Sequence, residues 1–205
     1  MRMRMAMVIS VLWAIVTVAA AQQTPEVEVQ ELGALARAAL PPAFGPHGLH
    51  LAQATRRGAG LCVSHNGQMG PELDGITEGS IAFSPDGERM AYAAQTGGNW
   101  RVVLDGEPGP ECDGIGAGDP VFSPDGQHLA YNALTGEQVV VVLDGEPGPE
   151  YHHIMAPGPI FSPDGEHMAY HATLRGKHVV VLDGEPGREY DGIIRNGPSL
   201  TSGGT

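Results

Sequence analysis

The pentapeptide Phe-Ser-Pro-Asp-Gly stands at residues 83–87, 122–126 and 161–165, each copy 39 residues after the last. A fixed step of this size restricts the chain to an array of one small unit, because each repeat must bury its apolar faces against its neighbours. A second motif, Leu-Asp-Gly-Glu-Pro-Gly, keeps the same step from Leu104 to Leu143 to Leu182. One step back from Phe83 lies Phe44-Gly45-Pro46-His47-Gly48, a worn copy of the pentapeptide, and one step forward from Phe161 lies Leu200. The array is therefore read as four units, 44–82, 83–121, 122–160 and 161–199, followed by the stub of a fifth at 200–205. Worn end units are expected, since terminal repeats cap an array rather than contact two neighbours.

Within one period the pattern is of short extended runs joined by tight turns. Ser80–Phe83 is a first run, and Ser84-Pro85-Asp86-Gly87 is turn chemistry. Proline presets φ there, aspartate bonds its own backbone, and glycine tolerates positive φ. Arg89–Ala94, Trp100–Leu104 and Glu111–Ile115 supply three more strands, separated by Gly97-Gly98 and by Asp105-Gly106-Glu107-Pro108-Gly109. No stretch in the period has helical spacing of apolar residues. Four antiparallel strands at this period are the pattern of a propeller blade, so the expected class is all-β. The recurring glycines follow from turn geometry, and none opens a helix as a phosphate-binding loop would.

Phe-Ser-Pro-Asp-Gly followed by a Leu/Met-Ala-Tyr strand resembles the β-propeller repeat of TolB-type and related WD-repeat-like bacterial proteins. The resemblance covers residues 44–199 and is strongest over 83–187. Leu-Asp-Gly-Glu-Pro-Gly, with Glu-Tyr-Asp-Gly-Ile at 189–193, resembles a subgroup of exported propellers. It implies blades set around a centre, with four units making either a closed four-blade ring or an open arc. A homodimer of two arcs completing one ring is an arrangement the count allows. An open arc would expose a strand edge to a partner.

Residues 1–21 carry Arg2 and Arg4, an apolar run from Ala6, and Ala19-Ala20-Ala21 before two glutamines. That is the layout of a secretory signal peptide, and the run is short for a membrane span of about 20 residues. The expected location is periplasmic or secreted, with membrane attachment only if the segment is not cleaved. Residues 22–43 then form an N-terminal segment in which Leu32, Leu35, Ala36, Ala39 and Leu40 share one helical face before Pro41-Pro42. A short helix is expected there. The chain has a formal net charge of −13, which argues against nucleic acid and anionic lipid as partners. Cys62 and Cys112 fall in different units at different repeat positions, and two separate thiols are favoured over a bridge.

The candidate chemistry is sparse. His50, Arg89, His128 and His167 occupy one repeat position and would form a basic rim. Equivalent positions on neighbouring blades lie too far apart to share a metal with bonds of about 2.0–2.1 Å. Trp100 and His178 share another position and are singular in type, so they join the rim residues as binding candidates. Asp86, Asp125 and Asp164 come one per turn, where a calcium loop needs a dense run of oxygen ligands. Ser84, Ser123 and Ser162 recur in every well-kept unit, which suits a scaffold and not a single strained nucleophile. No catalytic, cofactor or metal residue is assigned. The reading is a non-catalytic exported scaffold that binds protein or another macromolecule. The alternatives are the propeller portion of a larger hydrolase or lyase, and a truncated propeller product.

Overall fold

The computed structural model describes residues 40, 42–46, 50–116, 120–192, 198 and 200. The expected signal segment 1–21, most of the segment 22–43 with its expected helix, and most of the expected stub lie outside them. The described residues form four antiparallel sheets and contain no α-helix. The first sheet holds β1 (Ala43–Phe44), β2 (Leu51–Arg57), β3 (Gly60–His65) and β4 (Gln68–Met69). The second holds β5 (Gly75–Ile76), β6 (Ala82–Phe83), β7 (Met90–Thr96), β8 (Asn99–Leu104) and β9 (Glu107–Pro108). The third holds β10 (Gly114–Ile115), β11 (Val121–Phe122), β12 (Leu129–Thr135), β13 (Gln138–Leu143) and β14 (Glu146–Tyr151). The fourth holds β15 (His153–Ile154), β16 (Ile160–Phe161), β17 (Met168–Leu174), β18 (Lys177–Leu182) and β19 (Glu185–Tyr190).

The step of 39 is kept by the central strands: β2, β7, β12 and β17 begin at residues 51, 90, 129 and 168. Each sheet is a four-stranded blade, and in the second, third and fourth the first strand is broken in two. β5 and β6 both pair with one edge of β7, at Ile76↔Ala94 and Ala82↔Ala91. Glu111–Ile115, expected as one strand, is divided. Cys112 bridges to Trp100 in the second sheet, while Gly114 and Ile115 pair with β12 in the third. This segment is the joint between blades, so the chain changes sheets at Asp113 and not at the Phe-Ser-Pro-Asp-Gly turn.

The core lies between sheets. Alternate residues of a strand face opposite sides, and both sides are covered on the inner blades. Met90, Tyr92, Ala94 and Val103 pack on Ala52, Val63 and Leu73 of the first sheet. Ala91, Val102 and Cys112, on the other face, pack on Leu129, Tyr131, Ala133 and Val142 of the third. Ala130, Val141 and Tyr151 repeat the arrangement against Met168, Tyr170, Ala172 and Val181 of the fourth. A central strand buried on both faces must be apolar at nearly every position, which is why the Met-Ala-Tyr-Ala-Ala run lacks polar alternation. The four sheets are not closed into a ring, so of the two expected arrangements the open one is found.

Both motifs are turn devices. Ser84 is fully buried; its hydroxyl donates to Asp86 and accepts from the Arg89 amide at 2.9 Å. Asp86 accepts the Glu88 amide at 3.0 Å. The second and third copies repeat these bonds at Ser123–Asp125 and Ser162–Asp164. In the other motif, Asp105 (φ 52°) and Gly106 (φ 89°) are both left-handed, the signature of a two-residue type I′ hairpin.

Candidate binding faces

The rim residues lie where each blade's turn meets its central strand, and each is bonded within its own sheet. Arg89 Nε donates to Asp105 Oδ2 at 3.2 Å, His128 Nδ1 to Asp144 Oδ2 at 2.6 Å, and His167 Nδ1 to Asp183 Oδ2 at 2.8 Å. His50 accepts from the Asn66 side chain at 3.3 Å. The second oxygen of each aspartate takes the first amide of the central strand, as Asp105 Oδ1 does from Met90 at 2.8 Å. One side chain thus ties the hairpin turn both to the strand and to the rim residue. The Asp183 hydrogen bond and charge hold the His167 imidazole above its ordinary pKa. Arg89, His128 and His167 are thus each set against an aspartate, and His50 against an asparagine.

Two rim residues also hold neighbouring sheets together. Arg89 Nη1 donates to the carbonyls of Gly126 at 3.0 Å and Gln127 at 2.8 Å, and its guanidinium lies 5.6 Å from the Phe122 ring centroid. All three partners belong to the third blade. His50 contacts Phe83 of the second blade at 6.5 Å between ring centroids, and His65 contacts it at 5.6 Å. Burial, and then the neighbouring His50, lower the His65 pKa.

Trp100 is half-buried and packs on the core between the second and third sheets. His178 has a different role. Its Nδ1 lies 2.9 Å from Nε2 of His171, a buried residue on the adjacent strand. The 39-residue spacing does not single out His171. The hairpin register was the missing signal: pairing of Thr173 with His178 sets 171 and 178 as diagonal neighbours on one face. Burial, and then His178, push the His171 pKa down. The equivalent pairs are Ala54 with Leu61, Ala93 with Trp100, and Asn132 with Val139, so this histidine pair is not a scaffold feature.

His152 has a role in a turn. His152 Nδ1 accepts the Arg175 amide at 3.3 Å, where Asp74 and Asp113 accept the amides of Gly97 and Gly136 at 2.6 Å. His152 therefore replaces a turn acceptor. Cys62 and Cys112 are both buried free thiols. Among the described residues no three His, Cys, Asp or Glu side chains are grouped to hold a metal. A cleft between the second and third sheets, lined by Val102, Leu104, Pro108, Leu129 and Tyr131, has a volume of about 210 Å³. That is below the roughly 300–1,000 Å³ usual for small-molecule sites.

The outer face of the fourth sheet differs from every inner face. On the third sheet Val141 and Tyr151 are each 2% exposed beneath the fourth. The corresponding positions 39 residues on are Val180, which is only half-buried, and Tyr190, which is 50% exposed. Leu182 beside them is 46% exposed. The His171–His178 pair lies on this same face. Its structural neighbours are TolB and other WD40-like β-propeller proteins. TolB from Acinetobacter baumannii matches with 16% identity over 71% of this chain and 41% of its own length, TM-score 0.45. The propeller domain of the Trilobed protease from Pyrococcus furiosus matches with 12% identity over 68% of this chain and 52% of its own, TM-score 0.43. The Dos1 propeller matches with 13% identity, 68% and 42%, TM-score 0.42. The chain thus spans two-fifths to about half of the structures it matches. No protein-family model and no curated protein matches it.

Proposed function

We propose that this chain is a non-catalytic, exported propeller scaffold that binds protein through the outer face of its fourth sheet. The observation that carries the reading is the exposure of Leu182 and Tyr190 at positions that are covered on the inner blades. Large apolar side chains left in one patch on a strongly acidic chain mark an interaction surface more often than a solvated one. Export is supported by the basic, apolar, Ala-ending order of residues 1–21. The recurring serines and aspartates are used up in turn bonds, which supports a scaffold role for them.

A photo-crosslinker placed at position 190 in intact cells should yield a protein adduct, while one at the exposed hairpin residue Glu137 should not. Absence of any adduct at position 190 would remove the reading. N-terminal sequencing of the chain recovered outside the cytoplasm should begin at Gln22. An intact Met1 in a cytoplasmic pool would refute export.

A further inference from the structure

We infer that the outer face of the fourth sheet pairs with the same face of a second copy, about a two-fold axis. The inference rests on the protein-binding reading above and names the partner. Three times within the chain a sheet face of this kind is covered by the next sheet. Ala91, Val102 and Cys112 meet the third blade, and Ala130, Val141 and Tyr151 meet the fourth. The fourth sheet carries the same face forward as Val180 and Tyr190, with Leu182 beside them and no sheet of the described residues against it, while Ala169 at the equivalent place is buried. It is an established packing surface that continues past the last interface.

The partner surface within a second copy is fixed by elimination among sheet faces. A head-to-tail stack would set this face on the backward face of the first sheet. There Gln53 replaces the tyrosine of Tyr92, Tyr131 and Tyr170, Thr55 replaces alanine, and Ser64 replaces valine. Gln53 is also buried already, at 6% exposure. Such a stack would press Val180 and Tyr190 onto polar side chains in place of the apolar ones that cover the inner faces. The fourth face is better matched to itself. His171, His178, Val180 and Tyr190 include no carboxylate, amine or guanidinium, so a two-fold centred on them brings no like charges together, with Glu185 opposite Leu182 at the end of the sheet. Each imidazole and each Tyr190 hydroxyl can both donate and accept, which suits a contact in which a group meets its own copy. Lys177 and Asp191 are already paired with each other at the margin.

The test is the solution mass of the chain as its host processes it, measured by sedimentation over a concentration series. The expected result is a dimer that weakens at least ~10-fold with Leu182→Glu or Tyr190→Glu, as for a central apolar contact. Both residues are exposed, so the variants should keep the wild-type circular dichroism, and Glu137→Lys should leave the dimer intact. A wild-type monomer overturns the inference, as does a dimer indifferent to both substitutions. An open-ended series of larger species also overturns it, because a two-fold contact closes at two. Adducts at position 190 with a different protein, in a chain that is monomeric alone, would keep the binding function and reject the second copy.

Discussion

Gly106 and Gly109 stand in one turn and are glycine for different reasons. Gly106 has φ of 89°, and an added Cβ would meet nothing within 4 Å. Gly109 needs no unusual φ, but a Cβ there would lie 2.9 Å from the Val102 carbonyl and 3.5 Å from the Tyr131 hydroxyl of the next blade. Gly165 combines both conditions, with φ of 81° and a Cβ 2.9 Å from Asp125 Cγ. Denaturant titration should therefore rank the alanine variants. Gly106→Ala should cost about 1 kcal/mol from backbone strain. Gly109→Ala should cost about 1–3 kcal/mol from overpacking, and Gly165→Ala the most, because the two penalties combine. The histidines give a pH signature of two opposed signs. The lowered pKa of His171 means the unfolded chain binds its proton more readily, so its contribution is present above the ordinary value of 6.5 and lost as pH falls through the folded value. The raised pKa of His167 works the other way: its contribution is present below 6.5 and lost as pH rises through the folded value. Melting temperatures between about pH 5 and 8 should lose part of their acid-side fall in His171→Ala, the lowered His65 supplying a share of the same sign, and lose alkaline-side fall in His167→Gln. A profile unchanged in both would show that neither group is linked to folding.

Strands and turns are tied by bonds that repeat, and sheets by bonds that do not. The Ser-Asp turn and the aspartate clasp occur in three blades with near-constant distances. The second-to-third seam alone has the Arg89 bridge to Gly126 and Gln127. Arg89→Met keeps the side-chain length and removes those bonds. It should destabilise the chain by about 1.5–3 kcal/mol, as for hydrogen bonds to a charged donor, and hydrogen exchange should rise first in β11 and β12. If exchange rises uniformly, the bridge is not local to that seam. Tyr131 tests the opposite case. Its hydroxyl is buried with no hydrogen-bond partner among the described residues, and its pKa is pushed up to about 12 by burial. Tyr131→Phe should leave the denaturation midpoint unchanged or raise it, because the ring supplies the packing and the hydroxyl only a desolvation cost. A loss above ~1 kcal/mol would reveal a partner for that hydroxyl.

At the scale of the molecule, each sheet contacts only its neighbours, so stability should be graded along the array and not uniform. The two thiols report on this. Cys62 lies in the end sheet and Cys112 in the second, and both are buried. In low denaturant Cys62 should be alkylated at a lower free energy of opening than Cys112, while equal opening energies would mean that the four blades unfold as one unit. The sequence by itself determined the repeat, the blade and its turns, because those depend on local chemistry: proline and glycine geometry, serine and aspartate bonds, and apolar runs recurring every 39 residues. It also assigned the recurring serines and aspartates to the turns, where their bonds are found. It placed Glu111–Ile115 in one strand, since nothing within five residues reveals that Cys112 pairs backward and Gly114 forward. It could not join His171 to His178, whose proximity depends on the register of a hairpin. Equivalent positions are identical to a periodic reading, so Tyr151 and Tyr190 look alike in sequence. Only the tertiary structure separates them, because burial is a property of the neighbouring sheet: the fourth covers Tyr151, and no sheet of the described residues covers Tyr190.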